Sequence, residues 1–140
     1  MKVEEKIVGE IKNGLVVLVG FTKTDNESIV QKAVDKLLKI RLWKGLTEED
    51  KLKSWQTNVV QNNYEILLVS QFTLYSVMKG NKPDFHQALG SEDAIKLYET
   101  MIKKLKENYK KDKIQTGKFG EMMQVEIVNE GPVTIELEYN

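Results

Sequence analysis

Residues Ile66-Leu67-Leu68-Val69 form an unbroken apolar run between Glu65 and Ser70. Such a run needs cover on both of its faces, which suits a central strand and obliges the rest of the chain to pack around it. With 140 residues the chain can bury most of the apolar surface that its unfolded form exposes. It has no cysteines, so a disulfide framework, thiolate nucleophiles and cysteine-based metal sites are all excluded.

Around this run the remaining elements can be placed from local chemistry. Val3 to Ile11 reads as a strand, Asn13-Gly14 as a tight turn tolerant of positive φ, and Leu15 to Val19 as a buried second strand, which together predict a β-hairpin. From Asp25 onward Ile29, Val30, Ala33, Val34, Leu37, Leu38 and Arg41-Leu42 recur at three and four, an amphipathic helix that Asp25 or Asn26 can cap. Gly45 to Asn63 is polar and without period, a long connection that Trp43 and Trp55 are expected to pin to the body. If the central strand continues past Ser70, its two-residue period puts Gln71 and Thr73 on one face and Ser70, Phe72 and Leu74 on the other. Ser91 is the expected cap of a second helix with the inner stripe Ala94, Leu97, Tyr98, Met101, Ile102 and Leu105. Lys103, Lys104, Lys106, Lys110, Lys111 and Lys113 crowd its exposed end. Two short strands, Met123 to Val128 and Val133 to Glu138, close the chain on either side of Asn129-Glu130-Gly131-Pro132. This order is not the alternation of a doubly wound sheet, and it predicts an α+β fold with two main helices and a largely antiparallel, partly closed, barrel-like sheet.

Charge and chemistry narrow the function classes. Lys plus Arg and Asp plus Glu are 21 each, so any contact with nucleic acid must be local rather than driven by a global positive field. The opening Met1-Lys2-Val3-Glu4-Glu5-Lys6 is charged where a secretory signal would be apolar, and no apolar run approaches a bilayer's thickness. A soluble, cytosolic protein is expected, with no membrane partner. His86 is the only histidine and no Gly-x-Ser-x-Gly elbow occurs, which disfavours a histidine triad and leaves His86 a surface or loop role.

Ser70-Gln71-Phe72-Thr73-Leu74-Tyr75 and Asn129-Glu130-Gly131-Pro132-Val133-Thr134 resemble the two signature motifs of the D-aminoacyl-tRNA deacylases, in the same order. Between them, Lys79-Gly80-Asn81-Lys82-Pro83-Asp84-Phe85 and Thr116-Gly117-Lys118-Phe119-Gly120 with Met123-Gln124-Val125 are similar to two further blocks of that family, so that the resemblance spans Val8 to Leu137. It implies one deacylase domain over 1–140 that hydrolyses the ester of D-aminoacyl-tRNA, and of glycyl-tRNA, with no cofactor and no metal. Members usually open with an extra strand bearing a Gln-Arg pair, the arginine orienting the Gly-Pro loop; Met1 lies beyond it here. Glu121 and Met122 stand where relatives often have a small and an acidic residue.

The resemblance also assigns roles. Gly131 and Pro132, joined by a cis peptide, enter the pocket of a partner subunit in a homodimer, where their carbonyls occupy the space of an L side chain. A filter made of backbone suits a proofreader, which must reject one enantiomer while accepting many side chains. Backbone N–H groups near Phe72 and Thr73 would hold the ester carbonyl, with Gln71 as a fixed polar partner and the 2′-hydroxyl of the terminal adenosine assisting. The substrate's 3′ end would meet Ser70, Leu74, Lys79, Phe85, Gly120, Met123, Asn129, Val133 and Thr134, while Lys79, Lys82 and Lys118 face acceptor-stem phosphates. A covalent Thr73 is the rival mechanism, but it needs an activating base and none stands nearby in the sequence. Two rival functions are an L-alanyl-tRNA-editing relative with a trans Gly-Pro and a non-catalytic DNA-binding homologue.

Overall fold

The computed structural model describes residues 1–4 and 6–139. Its centre is a three-stranded sheet in the order β3-β6-β9, formed by Gly14–Val19, Glu65–Ser70 and Ile114–Thr116. Ile66, Leu67, Leu68 and Val69 are all buried, as a strand covered on both faces requires. Ile66 and Leu68 pack with helix α1 (Glu27–Lys39) and helix α2 (Ser91–Asn108) through Val30, Val34, Leu37, Leu38, Ala94, Tyr98, Met101 and Leu105. These helical residues recur at three and four and so form one stripe on each helix. Leu67 and Val69 face the other way, toward Met1, Ile11, Val16, Met123 and Val125.

Both pairings in this sheet are parallel, Gly14 to Val19 lying beside Glu65 to Ser70 and Ile66 to Leu68 beside Ile114 to Thr116. The α+β class holds, but the antiparallel pairing expected of the main sheet is corrected here. The physical reason is the connections: α1 lies between β3 and β6 and α2 between β6 and β9, and crossovers of that length return the chain in the same direction. Antiparallel pairing occurs in three two-stranded ribbons: β1 (Lys2–Val3) with β2 (Lys6–Ile7), β4 (Trp43–Leu46) with β5 (Leu52–Thr57), and β7 (Val77–Lys79) with β8 (Lys82–Asp84). Among the described residues no closed barrel forms.

Several local expectations are also corrected. The Asn13-Gly14 hairpin is absent: Gly14 starts β3 against Glu65, whose N–H donates to the Asn13 carbonyl at 3.1 Å. The 45–63 connection contains the β4–β5 ribbon, held by Trp43 edge-on to Tyr64 at 5.2 Å, whereas Trp55 is 51% exposed and pins nothing. Asn26 caps α1, its side chain accepting from the Ile29 N–H at 3.0 Å, but α2 is capped by Gly90 and Ser91 is its first residue. The helix α1 stops at Lys39, short of Arg41-Leu42.

The two C-terminal strands do not form a ladder. Among the described residues their only pairing is the antiparallel bridge between Gln124 and Lys2. An extended segment becomes a strand only when a neighbour takes its N–H and C=O groups, and among the described residues only Lys2 does so. Ile127, Val128, Ile135 and Leu137 are left exposed.

Candidate active site

The central strand ends at Ser70 and does not run on to Tyr75. Phe72 to Tyr75 instead make one 3₁₀ turn, entered through Gln71, whose N–H donates to the Val19 carbonyl at 2.7 Å. The expected alternation survives in a different form, since Gln71, Thr73 and Tyr75 are half-buried while Phe72 and Leu74 are exposed. Gly20 makes this packing possible: a Cβ there would stand 2.8 Å from the Gln71 carbonyl oxygen and 3.2 Å from Leu74 Cβ.

The opening of a helical turn leaves its first N–H groups without intrahelical partners. Leu74 N–H returns to the Gln71 carbonyl at 3.3 Å, whereas among the described residues the N–H groups of Phe72 and Thr73 have no acceptor. The Gln71 carboxamide donates to the Thr73 hydroxyl oxygen. Neither end of a carboxamide is a base strong enough to take a hydroxyl proton, so this contact fixes the Thr73 side chain without activating it.

Phe85 meets Phe72 edge-on at 5.0 Å, making an aromatic shelf beside the turn. Behind it His86 Nδ1 donates to the Asp84 carboxylate, the His86 backbone N–H donates to the same oxygen at 3.1 Å, and Lys79 Nζ lies 3.5 Å from the other oxygen. These contacts, the imidazole hydrogen bond first, hold the Asp84 carboxyl below its ordinary value. The segment is tied to the end of β3 by Thr22 Oγ1 donating to the Gln87 carbonyl at 2.6 Å and Leu89 N–H to the Phe21 carbonyl at 2.9 Å. The Tyr75 hydroxyl is pushed up chiefly by burial, then by the charges of Asp25 and Glu138.

The second motif is an exposed loop that organises itself. Asn129 Oδ1 accepts from the Val133 N–H at 3.1 Å and Asn129 Nδ2 donates to the Thr134 hydroxyl at 3.0 Å. The Gly131-Pro132 peptide is cis and Gly131 has φ +113°. Among the described residues no hydrogen bond joins this loop to the Ser70–Tyr75 turn.

The other expected contacts divide. Phe119 packs against Tyr98 at 5.6 Å, and Gly120 follows it in an open turn at φ +76°. Met123 lies in the packing around Leu67 and Val69, its sulfur accepting from the Lys118 N–H at 3.4 Å, and so has a structural duty. Lys118 Nζ sits 4.0 Å from Glu121, and Met122 is exposed. Tyr98, which sequence reasoning placed only in the helix stripe, donates from its hydroxyl to the Leu68 carbonyl at 2.8 Å, and burial pushes it up to about 12. The residue types of Gly20 and Asp84 do not announce their roles, because a close approach and a side-chain contact across a hairpin carry no local signature.

Comparison with known proteins finds matches over nearly the whole chain, a range that includes both motifs. The family model described as "D-Tyr-tRNA(Tyr) deacylase" matches residues 1–138. A D-aminoacyl-tRNA deacylase from Dictyostelium discoideum is 43% identical over 97% of this chain and 88% of its own length. One from Drosophila melanogaster is 46% identical over 96% of this chain and 82% of its own. Among solved structures, the "c-Myc DNA Unwinding Element Binding Protein" superposes with a TM-score of 0.91 at 42% identity, covering 99% of this chain and 91% of that one.

Proposed function

The chain belongs to the D-Tyr-tRNA(Tyr) deacylase family, and on that footing we propose that it hydrolyses the ester of D-aminoacyl-tRNA, releasing a free D-amino acid and tRNA. The observation that supports the chemistry is the pair of N–H groups on Phe72 and Thr73 that have no partner among the described residues, at the exposed end of a strand buried on both faces. Two such donors are what the oxyanion of a tetrahedral intermediate needs, and donors fixed by packing do not reorganise as charge develops. Gln71 and Thr73 form the wall beside them, and Phe72 and Phe85 offer faces for the adenosine or the aminoacyl side chain. Ser70, Leu74, Lys79, Gly120, Met123, Asn129, Val133 and Thr134 complete the substrate surroundings in this reading. The direct test is release of D- against L-tyrosine from charged tRNA: D-tyrosine alone should be freed, and equal release of both would overturn the assignment.

We further infer that 1–140 acts as one domain within a homodimer in which the Gly131-Pro132 loop enters the partner's pocket. The exposed apolar residues Ile127, Val128, Ile135 and Leu137 favour this, being extended chain that lacks a neighbour. Their pairing in the dimer would supply the partly closed, barrel-like sheet. Among the described residues no helix is long and apolar enough to cross a membrane, and the substrate places the enzyme in the cytoplasm. Sedimentation at micromolar concentration should give the mass of two chains; a monomer with full activity would contradict the arrangement.

If the donors are backbone groups, Thr73→Ala should keep measurable deacylation, with kcat reduced no more than roughly tenfold to a hundredfold. A covalent nucleophile would lose essentially all activity. Single-turnover kinetics with mass spectrometry separate the two, and a trapped acyl-Thr73 adduct would decide for the nucleophile.

A further inference from the structure

In the polar cluster behind the aromatic shelf, Asp84 and His86 have no part in the reading above, which uses only Lys79. Asp84 is shared by Lys79 and His86, two cation-capable side chains on one carboxylate. With its Nδ1 N–H committed to Asp84, the imidazole can turn only Nε2 outward, an acceptor in the neutral ring and a donor in the imidazolium, and His86 is exposed. Lys79 likewise keeps ammonium protons beyond the one directed at Asp84. With His86 as the imidazolium the cluster has surplus donors, Nε2–H and the Lys79 ammonium, and a satisfied acceptor, the complement of a group that carries one negative charge and only acceptors. A phosphodiester is such a group.

Position decides which phosphodiester. His86 follows Phe85, which touches Phe72, and Phe72 carries one of the free N–H groups of the turn. The segment is fixed to the end of β3 through Thr22, Phe21, Gln87 and Leu89, so the cluster keeps a set place relative to the turn. An ester held at the turn and the phosphate on the 5′ side of the same nucleoside are separated by a single ribose. Resting on the deacylase reading, we propose that His86, as an imidazolium oriented by Asp84 and flanked by Lys79, binds the phosphodiester immediately preceding the terminal adenosine. His86 is thus a positioning residue that seats the ester over the Phe72–Tyr75 turn.

The test uses three D-tyrosyl esters: charged tRNA, the dinucleotide CpA, and adenosine, which lacks the phosphate. His86→Leu should raise KM by about tenfold for tRNA and CpA, with kcat nearly unchanged and no change for the adenosine ester. His86→Gln, whose amide nitrogen can replace Nε2, should recover most of the loss. Asp84→Asn should repeat the phosphate-dependent rise in milder form, which keeps the test available if the leucine variant folds poorly. An equal loss on the adenosine ester, a fall in kcat instead of a rise in KM, or no effect on any substrate would overturn the proposal. Duplex DNA carries the same phosphodiester and should compete poorly; DNA binding that disappears in His86→Leu while tRNA kinetics stay intact would assign the cluster to the wrong nucleic acid here. A wild-type enzyme inactive on D-Tyr-tRNA would sink the deacylase reading itself and this inference with it, whereas an active enzyme indifferent to His86 sinks the inference alone.

Discussion

Glycyl-tRNA should be hydrolysed within roughly tenfold of the D-alanyl and D-tyrosyl substrates, while L-alanyl-tRNA should lag by about three orders of magnitude. The expectation follows from a filter made of the Gly131 and Pro132 carbonyls, which acts by colliding with an L side chain and makes no demand on a D one. Glycine has no side chain to exclude. A pocket that instead held D side chains by packing would weaken transition-state binding by about 1–3 kcal/mol for each methylene removed, and glycine would then fall furthest. The exposed position of the loop, closed on itself by Asn129, fits a part that offers backbone rather than a side-chain pocket. Rates for Gly-, D-Ala-, D-Tyr- and L-Ala-tRNA from one preparation decide between them: glycine as inert as L-alanine would refute exclusion.

What the residues disclose in advance depends on where the determining contact lies. The run Ile66 to Val69 could be placed at the centre because double-sided burial is written in four consecutive side chains. Asn13-Gly14 misled because the same dipeptide that favours a hairpin also suits the entry of β3 against Glu65, a contact 51 positions away by number that local chemistry cannot announce. The β4–β5 ribbon escaped notice for the opposite reason: Leu46, Leu52 and Trp55 are exposed, so no alternation between a buried and a wet face marks it. The C-terminal segments show the alternation of strands but find, among the described residues, only Lys2 as a neighbour. At the site, the motifs could be located from residue types, yet the change from strand to 3₁₀ turn after Ser70 could not, because it depends on what β3 offers next door.

That dependence makes Gly20 the most informative residue to change. Gly20→Ala should lower kcat/KM by roughly a hundredfold and stability by about 1–3 kcal/mol, as overpacking does in a close-packed interior. The added methyl would stand 2.8 Å from the Gln71 carbonyl oxygen, 3.2 Å from Leu74 Cβ and 3.4 Å from Tyr75 Cδ2. Its nearest neighbour is backbone, so a side chain cannot simply rotate aside. Relief must come from moving the turn, and the turn is where Gln71 N–H holds to Val19 and where the free N–H groups of Phe72 and Thr73 are aimed. Displacing those donors by even a fraction of an ångström removes the alignment on which transition-state stabilisation depends. Gly90→Ser is the control, since nothing lies within 4 Å of a Cβ there and its extended backbone at the α2 cap suits serine. That variant should lose neither stability nor activity. Urea denaturation and D-Tyr-tRNA kinetics, the latter run far below the melting temperature, separate misfolding from misplacement; a Gly20→Ala enzyme with wild-type kcat/KM would show that the turn does not hold the catalytic donors.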